Sequence, residues 1–152
     1  MASETDTRLV RAGEALEASI RYTSDDIEAF ARTSLDHNPL HRDPLAAQRS
    51  RYGRIIASGE HTAAMLMGML ATHFSRHDDG VQREMLCLNM NFSFKAPVFA
   101  DQDLRLSWRV ASVAWNVKLR GFLAHLEGGA WVESAKPALI ARGTILVQQA
   151  RE

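Results

Sequence analysis

The polar and apolar positions of this chain follow one period up to about residue 84 and another beyond it. Ala15 to Tyr22 has the β-branched and aromatic content of a short strand. Thr23 and Asp26 then stand at capping-box spacing, with Ser24 as a competing cap one residue on. Ile27, Phe30, Ala31 and Leu35 recur at intervals of three and four, which predicts one apolar helical face. Asp36-His37-Asn38-Pro39 should end that helix, because a residue preceding proline is pushed out of the α region. Asp43-Pro44 restarts a short helix that stops near Arg51-Tyr52-Gly53. Glu60 to Phe74 is the strongest helical segment. It is apolar on nearly every side in its middle, which predicts burial all round. Asp78-Asp79-Gly80 then breaks the chain.

From Glu84 onward the pattern alternates. Leu86, Leu88, Met90, Phe92 and Phe94 are expected on one face, with Cys87, Asn89, Asn91 and Ser93 on the other. Leu104, Leu106, Trp108 and Val110 repeat the alternation. Later strands are read over Val117 to Leu126, Trp131 to Ser134 and Leu139 to Val147, with a turn at Gly128-Gly129. Helices gathered first and strands afterwards imply an α+β fold with an antiparallel sheet. One sheet wrapped on one buried helix satisfies both patterns. A single domain over 1–152 is expected, with 1–13 as a flexible or extended segment.

Composition narrows the function classes. Hydrophobic residues make up 46% and charged residues 24%, as in a globular protein. Eighteen basic residues balance eighteen acidic ones, so the basic excess that a duplex DNA binder needs is missing. Cys87 is the only cysteine, which rules out an intrachain disulfide and fits a reducing compartment. The first eight residues carry both charges and no apolar stretch, unlike a secretory signal. The most apolar run, Thr62 to Ala71, is about half the roughly 20 residues that cross a bilayer. A cytoplasmic protein with neither nucleic-acid nor membrane partners is expected.

Candidate chemistry concentrates in Asp36-His37-Asn38-Pro39-Leu40-His41-Arg42-Asp43. Pro39 fixes its own φ and stiffens a bend, so Asp36 and His41 can leave from its two ends and converge. A carboxylate facing an imidazole can hold a water, one group accepting and the other donating a proton. Burial near the helix ends is a means of tuning both toward neutrality. By itself so short a motif also fits a capped turn beside a surface histidine. Tyr52-Gly53-Arg54-Ile55-Ile56-Ala57-Ser58-Gly59 follows and leads into the apolar helix. A glycine at a helix entrance lets a ligand approach free amides, which suits a thioester carbonyl oxygen. A plain packing glycine is the alternative.

Together these residues resemble the hydratase signature of MaoC-like dehydratases, including the (R)-specific enoyl-CoA hydratases. The matching positions are Asp36, Asn38, Pro39, Leu40, His41, Asp43, Tyr52 and Gly59. Phe94-Lys95-Ala96-Pro97-Val98 followed by Asp101-Gln102-Asp103-Leu104 is also similar to a passage of that family. The resemblance implies a hot-dog fold, in which an antiparallel sheet wraps around the long central helix, and a homodimer that completes its pocket across the interface. It further implies a hydro-lyase of fatty acid metabolism that hydrates a trans-2-enoyl thioester to a 3-hydroxyacyl thioester. Asp36 and His41 would position the water for syn addition at C3, with a proton then delivered to C2 by one of them. The Gly59 amide would polarise the carbonyl, and Asn38, Pro39, Ser58 and Tyr52 would support the site. No cofactor is implied beyond the coenzyme A or phosphopantetheine that the substrate carries.

Three positions depart from the family pattern. Leu35 replaces a common glycine before the aspartate, Ser58 a common histidine before the helix-start glycine, and Met67 a hydroxyl residue inside the helix. Glu60 and His61 put polar groups where relatives are often apolar, so the acyl pocket should differ from a plain fatty-acyl one. A hot-dog thioesterase using Glu60, or a non-catalytic subunit that binds acyl thioesters, are the rival functions. A metal site from Asp36, His37, His41 and Asp43 is disfavoured, because Pro39 breaks the helix that would align the two histidines. Arg42, Arg49, Arg51 and Arg54 flank the motif as candidate phosphate partners or a solvated basic face.

Overall fold

The protein is described by a computed structural model covering residues 8–133 and 135–151. Strand β1 (Ala15–Arg21) leads into helix α1 (Ser24–Thr33), a 3-10 turn (Pro39–His41), helix α2 (Pro44–Arg49) and the long helix α3 (Gly59–Phe74). Four strands follow: β2 (Arg83–Phe94), β3 (Asp103–Asn116), β4 (Gly121–Glu133) and β5 (Lys136–Gln149). They form one antiparallel sheet in the order β1-β3-β4-β5-β2, which wraps around α3. This is the hot-dog arrangement that the resemblance implies. No described helix is long and apolar enough to cross a membrane.

The alternation in β3 sets the core. Leu104, Leu106, Trp108 and Val110 are all buried, and they meet Leu66, Leu70 and Phe74 of α3. The Trp108 indole N–H donates to the Leu66 carbonyl at 2.9 Å, pinning the helix to the sheet. Thr23 caps α1 as expected, with the reciprocal bonds to Asp26 of a capping box.

Three expectations are corrected. Gly128 and Gly129 make no turn, because β4 runs straight through them. A Cβ on Gly128 would lie 2.3 Å from the Ser107 carbonyl oxygen and 2.6 Å from the Trp108 ring. One on Gly129 would lie 2.3 Å from the Leu139 oxygen. Close strand approach is what these glycines serve. In β2 the register shifts between Cys87 and Asn89, leaving Leu88 as an extra residue. That bulge puts Leu86 on the opposite face from Met90 and Phe92, and Leu86 and Leu88 are 57% and 48% exposed. Helix α3 is not buried all round, since Ala64, Met65, Gly68, Ala71 and Thr72 form an uncovered side. Within the N-terminal segment, expected to be flexible or extended, Leu9 and Val10 are packed into the core. Ser134, the end of one expected strand, lies outside the described residues, as do residues 1–7.

Arg83 explains how Leu9 and Val10 are held. Its buried guanidinium donates to the carbonyls of Arg8, Leu9, Arg76 and Val81 and to both carboxylate oxygens of Asp79. The N-terminal segment is thereby tied to the connection between α3 and β2. The same hydrogen bonds hold the Asp79 carboxyl well below the usual carboxylate range.

Candidate active site

Helix α1 ends in a reversal that aims the Asp36 side chain. Asp36 N–H bonds to the Ala31 carbonyl at 2.8 Å, and Leu35 takes φ +59°, the left-handed residue that such a helix end requires. Glycine adopts this conformation without strain. Leu35 is 77% exposed, so its side chain offsets little of the strain. Leu35→Gly should raise stability by up to ~1 kcal/mol with the site unmoved, read as a higher denaturant midpoint at constant slope.

Past that reversal the Asp36 carboxylate accepts the Asn38 N–H at 2.9 Å. The Asn38 side chain in turn accepts the Leu40 N–H at 3.1 Å and caps the 3-10 turn that Pro39 begins. The turn delivers His41 into the protein, where it is 6% exposed. His41 Nδ1 lies 2.6 Å from the Ile56 carbonyl oxygen. A carbonyl only accepts, so Nδ1 carries the hydrogen, and it is Nε2 that is turned toward Asp36. That Nε2 lies 3.4 Å from Asp36 Oδ2. A carboxylate oxygen and an imidazole nitrogen therefore converge from the two ends of the proline bend.

The segment from Arg54 to Ser58 connects this pair to the tip of α3. Ile56 N–H bonds to the Leu40 carbonyl, and Ala57 N–H to that of Val98. Gly59 is three residues beyond Ile56, so the anchor of the imidazole and the helix tip are at most roughly 10 Å apart along the chain. Ser58 is the N-cap of α3 but makes no side-chain capping bond. The first amides thus receive no capping side chain, although the His61 N–H bonds to the Ser58 carbonyl at 3.1 Å, and the helix dipole favours negative charge there. Beside the tip is a cleft of about 390 Å³ whose walls include Arg51, Tyr52, Ser58, Gly59, Phe94 and Lys95. Asp36 and His41 do not line this cleft. His41 instead lines a separate depression together with Arg54 and Ile55.

Tyr52 is a wall of the cleft, and its hydroxyl accepts from Arg51 at 2.8 Å. The Arg54 guanidinium lies 4.2 Å from the centroid of the Phe99 ring, and Arg42 donates to His37 Nδ1 at 2.9 Å. His37 is thus turned away from a shared site with His41, and Asp43 caps α2. No group of three or more His, Cys, Asp or Glu side chains among the described residues is placed to hold a metal. Met67 is packed against the core. The Ile56 carbonyl is a site group that the sequence could not reveal, because a backbone oxygen has no residue signature.

The family model described as the MaoC-like domain matches residues 9–119, which include Asp36, His41 and Gly59. The chain belongs to the MaoC-like family. An (R)-specific enoyl-CoA hydratase of Aeromonas caviae is 29% identical over 101 residues, spanning 66% of this MaoC-like chain and 71% of the relative. A mitochondrial 3-hydroxyacyl-[acyl-carrier-protein] dehydratase of Arabidopsis thaliana is 26% identical over 96 residues, 63% of this chain. The match spans only 53% of that relative's length. Among solved structures, the (R)-hydratase from A. caviae involved in PHA biosynthesis superposes with a TM-score of 0.77 at 23% identity. The superposition covers 93% of this chain and 98% of that one, and shows the shared fold.

Proposed function

We propose that this MaoC-like protein adds water reversibly across the C2–C3 double bond of a trans-2-enoyl thioester, forming a 3-hydroxyacyl thioester. The approach of Asp36 Oδ2 to His41 Nε2, with Nδ1 already committed to Ile56, carries this reading. With the carboxylate ionised and the imidazole neutral, both facing atoms accept, so one water can donate a hydrogen to each and turn a lone pair toward C3. As the C–O bond forms, one O–H bond breaks and its proton passes to the pair. The same proton is returned to C2, because the resting pair holds no other free one. The Gly59 amide supports the negative charge that develops on the thioester oxygen. Asn38 and Pro39 hold the bend, while Ser58 and Tyr52 shape the entrance to the helix tip.

Arg51 and Lys95 place positive charge along the cleft, which suits the phosphates of a coenzyme A or phosphopantetheine carrier. No separate cofactor enters the reaction. A homodimer is favoured by the free edge of β2, twelve residues long, with Leu86, Leu88 and Phe94 exposed along it. Such an edge is a liability unless a second strand covers it. The single thiol fits a reducing compartment such as the cytoplasm.

Purified protein should hydrate crotonyl-CoA or a longer 2-enoyl-CoA, followed as loss of the absorbance of the conjugated thioester. Gly59→Ala should lower that rate by roughly 10²-fold, because a 1 Å displacement of the carbonyl is that costly. Its Cβ would meet the Phe94 ring at 2.5 Å, yet Phe94 is 57% exposed and can swing aside, so folding should survive. Release of free thiol would instead indicate a thioesterase. Tight acyl-thioester binding without turnover would indicate a binding subunit.

A further inference from the structure

A second groove runs along the other side of the α3 tip, between α1, the end of β1 and α3, with a volume of about 580 Å³. Ala29, Phe30 and Thr33 of α1 line it at helical spacing, and His61 and Met65 of α3 face them one turn apart. Its walls therefore include α3, which begins at Gly59, and α1, which ends shortly before Asp36. Asp36 follows Thr33 by three residues, and His61 is the second residue beyond Gly59. The Tyr22 hydroxyl, 3.1 Å from that of Thr62, stands between this groove and the cleft at Gly59.

His61 is the buried imidazole of this groove, whose lining also includes Arg21, Tyr22, Asp26 and Thr33. It is 8% exposed, and its ring is stacked between Tyr22 at 4.1 Å and Phe30 at 4.4 Å. Its Nδ1 is enclosed with no hydrogen-bond partner among the described residues. An enclosed lone pair is better tolerated than an enclosed N–H, so the hydrogen belongs on Nε2, the nitrogen that is not enclosed. Burial pushes the ring's pKa down and keeps it neutral, against the pull of the Asp26 carboxylate, which Thr23 holds by hydrogen bonds. Arg21, at the rim, is paired with Asp103. The buried imidazole thus offers the groove a neutral N–H donor beside the apolar part of its lining, Ile20, Ala29, Phe30 and Met65, and such a donor can fix one acceptor of a ligand.

We propose that this groove receives the acyl chain of the thioester and that His61 selects chains bearing an oxygen acceptor, a carbonyl or hydroxyl, beyond the reacting carbons. This rests on the hydration reading above. Calorimetry with saturated, unreactive acyl-CoAs tests it: plain medium-length chains against the same chains carrying one keto or hydroxyl group at successive carbons. The wild-type protein should bind at least one oxygenated member roughly ten-fold or more tighter than the plain chain. His61→Leu should erase that preference, and His61→Gln, which keeps an N–H donor, should restore part of it. A thermal unfolding midpoint of His61→Leu within a few degrees of the wild type's should show an intact fold. Equal affinities across the series in the wild type, or a preference that survives His61→Leu, would overturn the assignment. Failure to hydrate crotonyl-CoA would sink the hydration reading alone, while the binding comparison still judges the groove.

Discussion

Asp36→Asn and His41→Ala are each expected to slow crotonyl-CoA hydration by roughly 10²–10⁴-fold, the range for losing positioned acid–base help. Asn keeps the shape of Asp36 and can still accept the Asn38 N–H, but its amide cannot take up a proton. His41→Ala removes the Nε2 lone pair and also frees the Ile56 carbonyl, so a modest fall in stability should accompany it. Because the two side chains act on one water, the double variant should be little worse than the slower single one. Losses that multiply would mean that the groups act in separate steps. Full activity in Asp36→Asn would remove the carboxylate from the chemistry altogether.

Arg83→Met should lower stability by roughly 1–3 kcal/mol, the cost of leaving buried acceptors without their donor. The Arg83 side chain is 2% exposed and serves four carbonyls and one carboxylate, so its loss orphans several acceptors at once. Packing of Leu9 and Val10 should loosen first, visible as early amide exchange in that segment. Arg83→Lys should recover only part of the loss, since an ammonium cannot reproduce the planar fork on Asp79. Asp79 also sets a pH response. Its folded pKa is lowered, so its contribution is complete above the unfolded value near ~4. It is lost as pH falls below that value toward the folded one. Acid unfolding of Asp79→Asn should therefore begin from a less stable protein and show a shallower pH slope. An Arg83→Met protein as stable as the wild type would show that the N-terminal segment is held by apolar packing alone.

How much of this was legible in the residues depends on the range of the interaction concerned. Local rules sufficed for the capped start of α1, the proline-led turn at Pro39 and the inward row from Leu104 to Val110, because each depends on groups a few positions apart. The pairing of Asp36 with His41 was legible for the same reason, since one short bend carries both. Spacing could not show the β2 bulge at Leu88, nor that Gly128 and Gly129 lie in mid-strand. Both follow from neighbouring strands far away in sequence. Burial of Leu9 and Val10 was hidden likewise, because the clamp that holds them comes from Arg83.

The sequence by itself determined the class of fold, the order of helices before strands and the identity of the converging acid and imidazole. These are set by periodicity, capping and the stiffness of proline. Only the tertiary structure decided which nitrogen of His41 faces Asp36, because the answer lies in a carbonyl fifteen residues away. It alone also showed that His61 stands between two aromatic rings with one nitrogen unpaired. Rings from β1's end and from α1 meet there on α3, and no local pattern records contacts that long-range packing creates.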